Sequence, residues 1–399
     1  MEAPNDFTLR VGLRSPVPFF LQIAAAAPLA AVPCQAIRAA RDRGEESSWT
    51  RPGRIVVSGP FRLQEWRSYD RVVLRRNPSY YNAERLLLDE LSFVHIADGV
   101  TNVNLYKAGE ADAMADSILP PQFLPALQRV GELHVLPALD NYYYFVNLNK
   151  PPLNNVLLRY ALNMALDKNA LATFAGVGRT PAKNFVPPIA GYPAPQKLNV
   201  NVNGRECDVL SYNPPTAREL LAAAGLAAGV CPNGRRLRLN LSYWNRPMSR
   251  ERCEILQQVW HRNLGIELSL VALELPVWLQ SVTSGEYEGL ADVDWNADYA
   301  DPDAFLSLLT SSSSANGSGW RDPAYDAMLA SANTETDLAV RMRKLVDCEE
   351  YMLRRMPVIP LYFDAWTYLQ KPFVRDLYID PLARVTFPSA WIDTKWRPS

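Results

Sequence analysis

The stretch VDWNADYADPDAFL, residues 293–306, concentrates carboxylates and aromatic rings in one short segment. Its acidic residues, together with one that lies just before it, are Asp292, Asp294, Asp298, Asp301 and Asp303. No lysine or arginine lies among them. Because like charges at short range repel each other, either water solvates these carboxylates or a cation binds to at least one of them.

The acidic bias extends beyond this stretch. Between residues 263 and 320 the chain has nine acidic residues and no lysine or arginine, although its overall formal charge is −1. A solvated loop, in which Asp301 or Asp303 caps the following helix, explains most of these acids. Asp298 differs, because its neighbours in the sequence are apolar or aromatic and predict burial. A buried carboxylate needs a partner, and we expect a cationic ligand to provide it.

The composition is that of a globular protein with more than one domain. The chain has 399 residues, of which 48% are hydrophobic and 21% are charged. This length accommodates two or three domains of ordinary size. The 41 basic and 42 acidic residues nearly cancel, so no basic excess is available to neutralise phosphates, which argues against nucleic acid as a partner.

The usual motifs of enzymes and metal sites are missing from the sequence. Its three histidines are not spaced to share a metal on one helix face, and no CxxC, HExxH, GxSxG, GxGxxG or Walker motif occurs. We therefore expect no enzyme, no metal and no cofactor. The carboxylates around Asp298 leave a carboxylate-dependent hydrolase as an alternative. Of the five cysteines, Cys207 and Cys231 are near enough to bridge a loop, but free thiols are an equally good interpretation.

The segment PFFLQIAAAAPLAAVPCQ, residues 18–35, superficially resembles a lipoprotein signal because an apolar stretch precedes a cysteine. The polar segment DFTLRVGL before it and Pro33 directly before Cys34 argue against that interpretation. Its run of about 15 apolar residues is also too short to span a bilayer comfortably. We predict a buried helix that ends at Pro33, and no convincing signal peptide in the chain.

Segments with the periodicity of strands and of helices alternate along most of the chain. Alternation of apolar residues predicts strands at 6–13, 68–77, 141–149, 235–244 and 266–275. Apolar residues at helical spacing, with capping signals, predict helices at 154–176, 213–225 and 250–265. This alternation predicts an α/β protein with mixed sheets.

Six segments carry more specific motifs. They are W-x-A-D-Y-x-D-P-x-x-F-L (295–306), SGPFRLQEW…VVLRRNPSYYN (58–82), NLYKAGEADAM (104–114), VNLNKPPLNNVLLRYALNMALDKNAL (146–171), YNPPTARELLAAAG (212–225) and SGWRDPAYDAML…PVIPLYFDAWTYLQKPFV (318–374). In residues, order and spacing they closely resemble the family 5 extracytoplasmic solute-binding proteins of ABC importers, of the oligopeptide- and dipeptide-binding type. The resemblance covers nearly the whole chain.

This resemblance implies a two-lobe periplasmic-binding-protein (type II) fold with mixed sheets and a hinge of crossing strands near residues 139–144 and 362–366. Lobe one would comprise residues 1–139 plus 366–399, and lobe two, which carries the W-x-A-D-Y motif, residues 140–365. The first residues of the chain match the interior of such proteins. The resemblance therefore also implies that lobe one is N-terminally shortened, through a mis-set start or a real truncation.

The resemblance assigns ligand-binding roles to particular residues. In oligopeptide-binding relatives the aspartate of the motif pairs with the α-ammonium of the peptide, and this role maps onto Asp298. The preceding tryptophan, here Trp295, lines a side-chain pocket. The full set of ligand-binding residues that we expect is Asp298, Trp295, Tyr299, Asn296, Tyr142, Tyr144 and Tyr362. For the tyrosines at 142–144, packing in a buried strand is an equal alternative.

Two departures from the family pattern bear on the ligand. Relatives often place a basic residue shortly before the tryptophan, where it helps to hold a peptide carboxylate, whereas this chain has Ala291 and Asp292. A longer peptide, an amide or a polyamine-like cation therefore fits better than a short peptide with a free carboxyl terminus. Some relatives also tie the hinge with a disulfide, and Asp140 and Asn296 stand at the corresponding positions.

The expected function is that of the periplasmic substrate-binding component of a peptide ABC transporter. As a monomer without bound nucleic acid, it would hold a peptide or a small cationic solute between two lobes and present it to the permease subunits. Closure about the hinge would follow from a higher ligand affinity of the closed state. The alternative is a transport-inactive ligand-sensing or interaction domain of the same fold.

Overall fold

The chain forms two compact units, each built from more than one stretch of sequence. The computed structural model describes residues 1–26, 29–96, 98–114, 119–202 and 204–397. Unit 1 consists of Met1–Ala26 and Ala138–Asp364, and unit 2 consists of Ala27–Pro137 and Ala365–Ser399. Unit 1 contains most of the predicted lobe two. The first 26 residues group with it, whereas the sequence analysis assigned them to lobe one.

Strands and helices alternate through both units. The strands are β1 Glu2–Asn5, β2 Thr8–Arg10, β3 Phe61–Arg67, β4 Arg71–Arg76, β5 Glu90–Val94, β6 Ala113–Met114, β7 Leu133–Val146, β8 Thr180–Pro181, β9 Asn199–Val202, β10 Arg205–Asp208, β11 Arg238–Trp244, β12 Glu267–Leu273, β13 Leu290–Asn296, β14 Val358–Gln370, β15 Val374–Arg375, β16 Tyr378–Ile379, β17 Val385–Thr386 and β18 Trp391–Ile392. The helices are α1 Phe20–Ala24, α2 Cys34–Asp42, α3 Gly99–Ala108, α4 Leu124–Arg129, α5 Val156–Met164, α6 Lys168–Ala175, α7 Pro214–Ala223, α8 Pro247–Leu264, α9 Leu275–Ser284, α10 Asp303–Leu306, α11 Pro323–Thr334 and α12 Leu338–Arg355.

The main sheet of unit 1 has the strand order β12-β11-β13-β7-β14, with β8 beside β14. Strand β11 is parallel to both β12 and β13, whereas β7 is antiparallel to β13, which confirms the predicted mixed sheet. Gly289 lets β13 enter the sheet: its φ is +95°, and a Cβ there would lie 2.5 Å from the carbonyl oxygen of Asn240. Only glycine tolerates such a backbone conformation and approach.

Two buried polar side chains of helix α8 form hydrogen bonds to the end of α5. Trp260 is completely buried, and its indole nitrogen donates to the carbonyl oxygen of Leu162 at 3.0 Å. Asn263, one turn later, donates to the carbonyl oxygen of Ala165 at 2.8 Å. These two bonds satisfy carbonyls at the end of α5 that the helix itself leaves without a partner. Helix α8 is thereby held in place over the sheet.

Unit 2 has its own sheet and core. Strands β3, β4 and β5 form an antiparallel sheet in that order. Elsewhere in the unit, β6 pairs with Leu369 and Gln370 of β14. The buried cluster beside this pairing consists of Val103, Tyr106, Met114, Leu119, Leu127 and Leu369. Helix α3 supplies two of these side chains and ends at Gly109, which adopts the left-handed conformation that glycine favours.

The prediction of a buried helix that ends at Pro33 is wrong. Helix α1 covers only residues 20–24 of that segment, most of its side chains are exposed, and α2 begins directly after Pro33. Residues 27 and 28 lie outside the described part of the chain. Proline disfavours helical geometry at the preceding residue but is well placed where a helix starts. In the ranges described, no helix is both long and apolar enough to cross a bilayer.

The cysteines and the metal-ligating residue types form no special site in the structure. All five cysteines are free thiols, so Cys207 and Cys231 are not bridged. Within the described ranges, no group of three or more histidine, cysteine, aspartate and glutamate side chains is arranged to hold a metal ion.

A buried carboxylate on α12 organises the loop that follows β8. One oxygen of Glu349 accepts hydrogen bonds from the backbone nitrogens of Phe185 (2.6 Å) and Val186 (2.8 Å), and the other accepts from the Tyr192 hydroxyl (2.6 Å). Burial raises the pKa of Glu349 from 4.5 to about 7, although these hydrogen bonds favour the charged form. The folded protein therefore keeps a proton that the unfolded chain releases.

We expect Glu349 to make the free energy of unfolding decrease as the pH rises from about 5 to 7. In this window its side chain is protonated in the folded state and ionised in the unfolded chain, which costs up to about 1.4 kcal/mol per pH unit. In Glu349→Gln this component is lost, and urea denaturation at several pH values measures it. The exposed Glu219→Gln variant should keep the wild-type pH dependence. A Glu349→Gln variant with the wild-type pH dependence would contradict the assignment.

Candidate functional site

Two arginines at the start of α8 neutralise the acidic residues of β13. Arg252 forms a two-pronged ion pair with Asp292, with contacts of 3.0 Å and 2.6 Å, and both side chains are 3% exposed. Arg246, which directly precedes α8, binds Asp294 at 2.8 Å, and these side chains are 29% and 35% exposed. The interpretation of a solvated acidic segment is therefore wrong for both aspartates, because their partners lie far away in the sequence.

Arg252 also contacts two aromatic rings. The rings of Tyr142 and Tyr362 stack with their centroids 4.8 Å apart, and the guanidinium of Arg252 lies 4.5 Å from the centroid of Tyr142. Arg252 also donates to the Tyr362 hydroxyl at 2.8 Å. Burial disfavours its charge, but Asp292 and Tyr362 raise the pKa of Arg252 above its ordinary value. The guanidinium is thus held charged between an acid and two rings.

Strand register puts these groups on one side of the sheet. Side chains that alternate along an antiparallel pair share a face, and residues directly opposite each other are neighbours on it. Tyr142 lies opposite Asp294, and Asp140 lies opposite Asn296. We call this side the ionic face, and its members on β7 and β13 are Asp140, Tyr142, Tyr144, Asp292, Asp294 and Asn296.

A second buried cluster holds the turn that follows β13. Arg341 of α12 binds both oxygens of Asp301 at 2.7 Å, and these side chains are 1% and 5% exposed. The Tyr299 hydroxyl donates to Asp303 at 2.7 Å. The ring of Phe19 stacks on Tyr299 with centroids 5.4 Å apart, and the Arg341 guanidinium lies 4.9 Å from the centroid of Phe19. Most polar groups of the D-Y-x-D-P motif therefore stabilise the turn itself.

Asp298 lies at the exposed point of this turn. On one side the backbone nitrogen of Ala297 donates to the carbonyl oxygen of Leu139 at 2.9 Å, and on the other the nitrogen of Asp301 donates to the carbonyl oxygen of Tyr299 at 2.9 Å. Asp298 is exposed, which contradicts the predicted burial, because its two neighbours face inward and leave it facing out. Among the residues that the structure describes, none forms an ion pair or a hydrogen bond with its carboxylate.

The remaining predicted ligand residues occupy different surroundings. Trp295 faces away from the ionic face, and its indole nitrogen donates to the carbonyl oxygen of Ala304 at 2.9 Å. Asn296 is exposed at the end of β13. Tyr144 is completely buried. The structure therefore brings Tyr142, Tyr362 and Asn296 together on the ionic face, puts Tyr299 and Asp298 on the adjoining turn, and buries Tyr144.

Sequence reasoning missed the arginines. The segment RPMSRER, residues 246–252, places three of them at the start of a helix, where the helix dipole disfavours positive charge. That conflict was an available signal that Arg246 and Arg252 bind acids elsewhere. Arg341 carries no comparable signal, because it lies among other charged residues of an ordinary amphipathic helix.

Two surface depressions of unit 1 lie away from these groups. One of about 320 Å³ is lined mainly by residues of α12. The other, of about 970 Å³, lies between α8 and the strands β11 and β12. Neither includes any of the predicted ligand residues. We therefore infer the ligand from the charged groups of the ionic face and the adjoining turn, not from these depressions.

Comparison with known proteins places the chain in a family. Residues 1–317 match the model of bacterial extracellular solute-binding proteins, family 5 Middle. The chain belongs to this family. It is 31% identical, over 380 residues, to the periplasmic oligopeptide-binding protein OppA of Escherichia coli, which covers 94% of this chain and 66% of that protein. The chain thus spans slightly less than two thirds of that family 5 relative.

Two further proteins from Escherichia coli resemble the chain, one in sequence and one in structure. The probable deoxycholate-binding periplasmic protein YgiS of Escherichia coli is also 31% identical, over 94% of this chain and 67% of its own length. The structure of the murein tripeptide binding protein MppA of Escherichia coli superposes with a TM-score of 0.75 at 25% identity, over 95% of this chain and 72% of that one. The predicted α/β binding-protein fold is thereby confirmed.

We expect Arg341→Met to lower the free energy of unfolding by about 3–5 kcal/mol, because it leaves Asp301 buried without its charged partner. Arg205→Met removes the partner of Glu219 from an exposed pair and serves as the control. Its expected cost is about 0–1 kcal/mol. Urea denaturation of the three proteins measures both values. Equal, small losses in the two variants would show that the cluster does not support the turn.

Proposed function

We propose that the chain is the substrate-binding component of a peptide-type ABC importer, and that Asp298 anchors a cationic group of a peptide or related solute. The uncompensated charge of Asp298 carries this proposal. Within the part of the chain that the structure describes, its acidic neighbours Asp294 and Asp301 have arginine partners, and Asp303 is hydrogen-bonded. A cation at Asp298 therefore does not compete with an internal partner.

The turn supports such binding because it is rigid on both sides of Asp298. The ladder bond at Ala297 and the buried pair between Asp301 and Arg341 hold the backbone before ligand arrives. Little conformational freedom remains to be lost on binding. Each charge-assisted hydrogen bond from an ammonium to the carboxylate contributes about 1.5–3 kcal/mol. An α-ammonium, with three donors on one nitrogen, matches this site well.

The charges favour binding over hydrolysis. A glycosidase-type mechanism needs two carboxyl groups that are both available to the substrate. The acid beside Asp298 in the motif, Asp301, is committed to Arg341, and Asp303 is committed to Tyr299 and Asn333. We therefore propose that the ligand is bound and released unchanged.

The charges also favour a cation over an anionic amphiphile. One relative is named for probable deoxycholate binding, and deoxycholate carries a carboxylate. An exposed, unpaired aspartate repels such a ligand. Deoxycholate is therefore a useful comparison ligand for this chain, and we propose that it does not bind at Asp298.

The proposal extends to partners and location by analogy with the family. The relatives include periplasmic binding proteins, so we place this chain in the periplasm and expect it to deliver ligand to permease subunits. Both unit boundaries, at residues 137–138 and 364–365, fall within the long strands β7 and β14. We propose these strands as the hinge that links lobe one (residues 1–139 plus 366–399) to lobe two (residues 140–365).

Asp298→Asn should weaken peptide binding at least about tenfold, or about 1.4 kcal/mol, because the amide lacks the negative charge. Calorimetric titration of the full chain with a pool of short peptides measures the loss. Glu206→Gln removes an exposed acid on β10 and should bind as the wild type does. Deoxycholate should give no saturable heat. Undiminished peptide binding by Asp298→Asn would refute the proposed anchor.

A further inference from the structure

A second carboxylate of the ionic face has an unused hydrogen-bonding oxygen. Asp140 lies on β7, directly opposite Asn296 of β13, and is 6% exposed. Within the described ranges, no group donates a hydrogen bond to its Oδ1. A buried carboxyl oxygen without a donor is costly, so such a group calls for a function or a ligand.

The charges that face Asp140 are already matched to one another. Arg246, before α8, pairs with Asp294 of β13 at 2.8 Å, and Arg179, before β8, pairs with Asp364 of β14 at 2.8 Å. Asp294 and Asp364 each form an ion pair with one of the two arginines, and Asp140 forms an ion pair with neither. Burial, followed by the charges of Asp294 and Asp364, raises the pKa of Asp140 well above its usual range, against the opposing effect of the two arginines.

We propose that Asp140 is a second cation-binding group, so that the preferred ligand carries two positive charges: one at Asp298 and one at Asp140. This inference rests on the proposed function and narrows it to dicationic ligands, such as peptides with a free α-ammonium and a basic side chain. Asn296, which lies opposite Asp140, is two residues before Asp298 in the sequence. The lengths of two residues of chain and of one cross-strand pair limit the separation of the Cα atoms of Asp140 and Asp298 to about 13 Å, within reach of one lysine-containing peptide.

The proposed binding step also moves a proton. Without ligand, burial and the nearby charges of Asp294 and Asp364 favour the neutral acid of Asp140, because they raise its pKa. When an ammonium approaches, the carboxyl group loses its proton to the solvent, and the carboxylate accepts a hydrogen bond from the ammonium. No bond of the ligand breaks. Binding of a dication therefore releases up to one proton more than binding of the matched monocation.

The first test compares tripeptides that have lysine at position 1, 2 or 3 with the same peptides carrying Nε-acetyl-lysine. For at least one position, the unmodified protein should bind the lysine form at least tenfold more tightly. In Asp140→Asn this ratio should fall to about one. Asp298→Asn should weaken both forms.

The second test uses the wild type alone and does not depend on how a variant folds. Titrations at several acidic and neutral pH values, in buffers with different ionisation enthalpies, count the protons released by each peptide. A lysine peptide that releases no more protons than its acetylated counterpart, or that shows no preference at any position, overturns the role of Asp140. If the Asp140→Asn variant still prefers the lysine peptide, that result also overturns the role of Asp140. Failure of both peptide forms to bind the wild type overturns the proposed function with it.

Discussion

The ion pair between Arg252 and Asp292 determines how the ionic face is built. Both side chains are buried, and a buried charge without its partner costs several kcal/mol. The pair therefore requires α8 to lie against β13, although its arginines are at the helix end that disfavours them. Once α8 is in place, Arg246 reaches Asp294, and the stacked rings of Tyr142 and Tyr362 close around Arg252. The same ion pairs that hold α8 in place therefore neutralise the aspartates of β13.

Internal pairing leaves a small, defined negative charge. Most acids of β13 and of the following turn are paired or hydrogen-bonded within the protein. Far fewer negative charges are therefore without a partner than the sequence suggests. Asp298 is exposed on a rigid turn, and Asp140 is buried with an unused oxygen. Under the proposed function, these two carboxylates favour a positively charged ligand, whatever apolar contacts add to the affinity.

Local patterns predicted the parts of the fold that depend on local chemistry. The buried aromatic strand β7 and the mixed sheet are as expected, because the periodicity of side chains acts over a few positions. The helix predicted to end at Pro33 failed where prolines interrupt an alanine-rich segment. The burial predicted for Asp298 failed for a similar reason, since neighbouring residues do not determine direction in a turn. The arginine partners were beyond local reasoning, because they lie 40 or 48 residues from their aspartates.

Under the proposed function, Asp298 binds the α-ammonium of a peptide. The most direct measurement is the affinity of the unmodified protein for one short peptide with a free amino terminus and for the same peptide acetylated at that terminus. Acetylation removes the positive charge and changes little else, so affinity should fall at least about tenfold, or about 1.4 kcal/mol. Equal affinity for the two peptides would contradict the account and would show that the charge of Asp298 is not directed at the ligand.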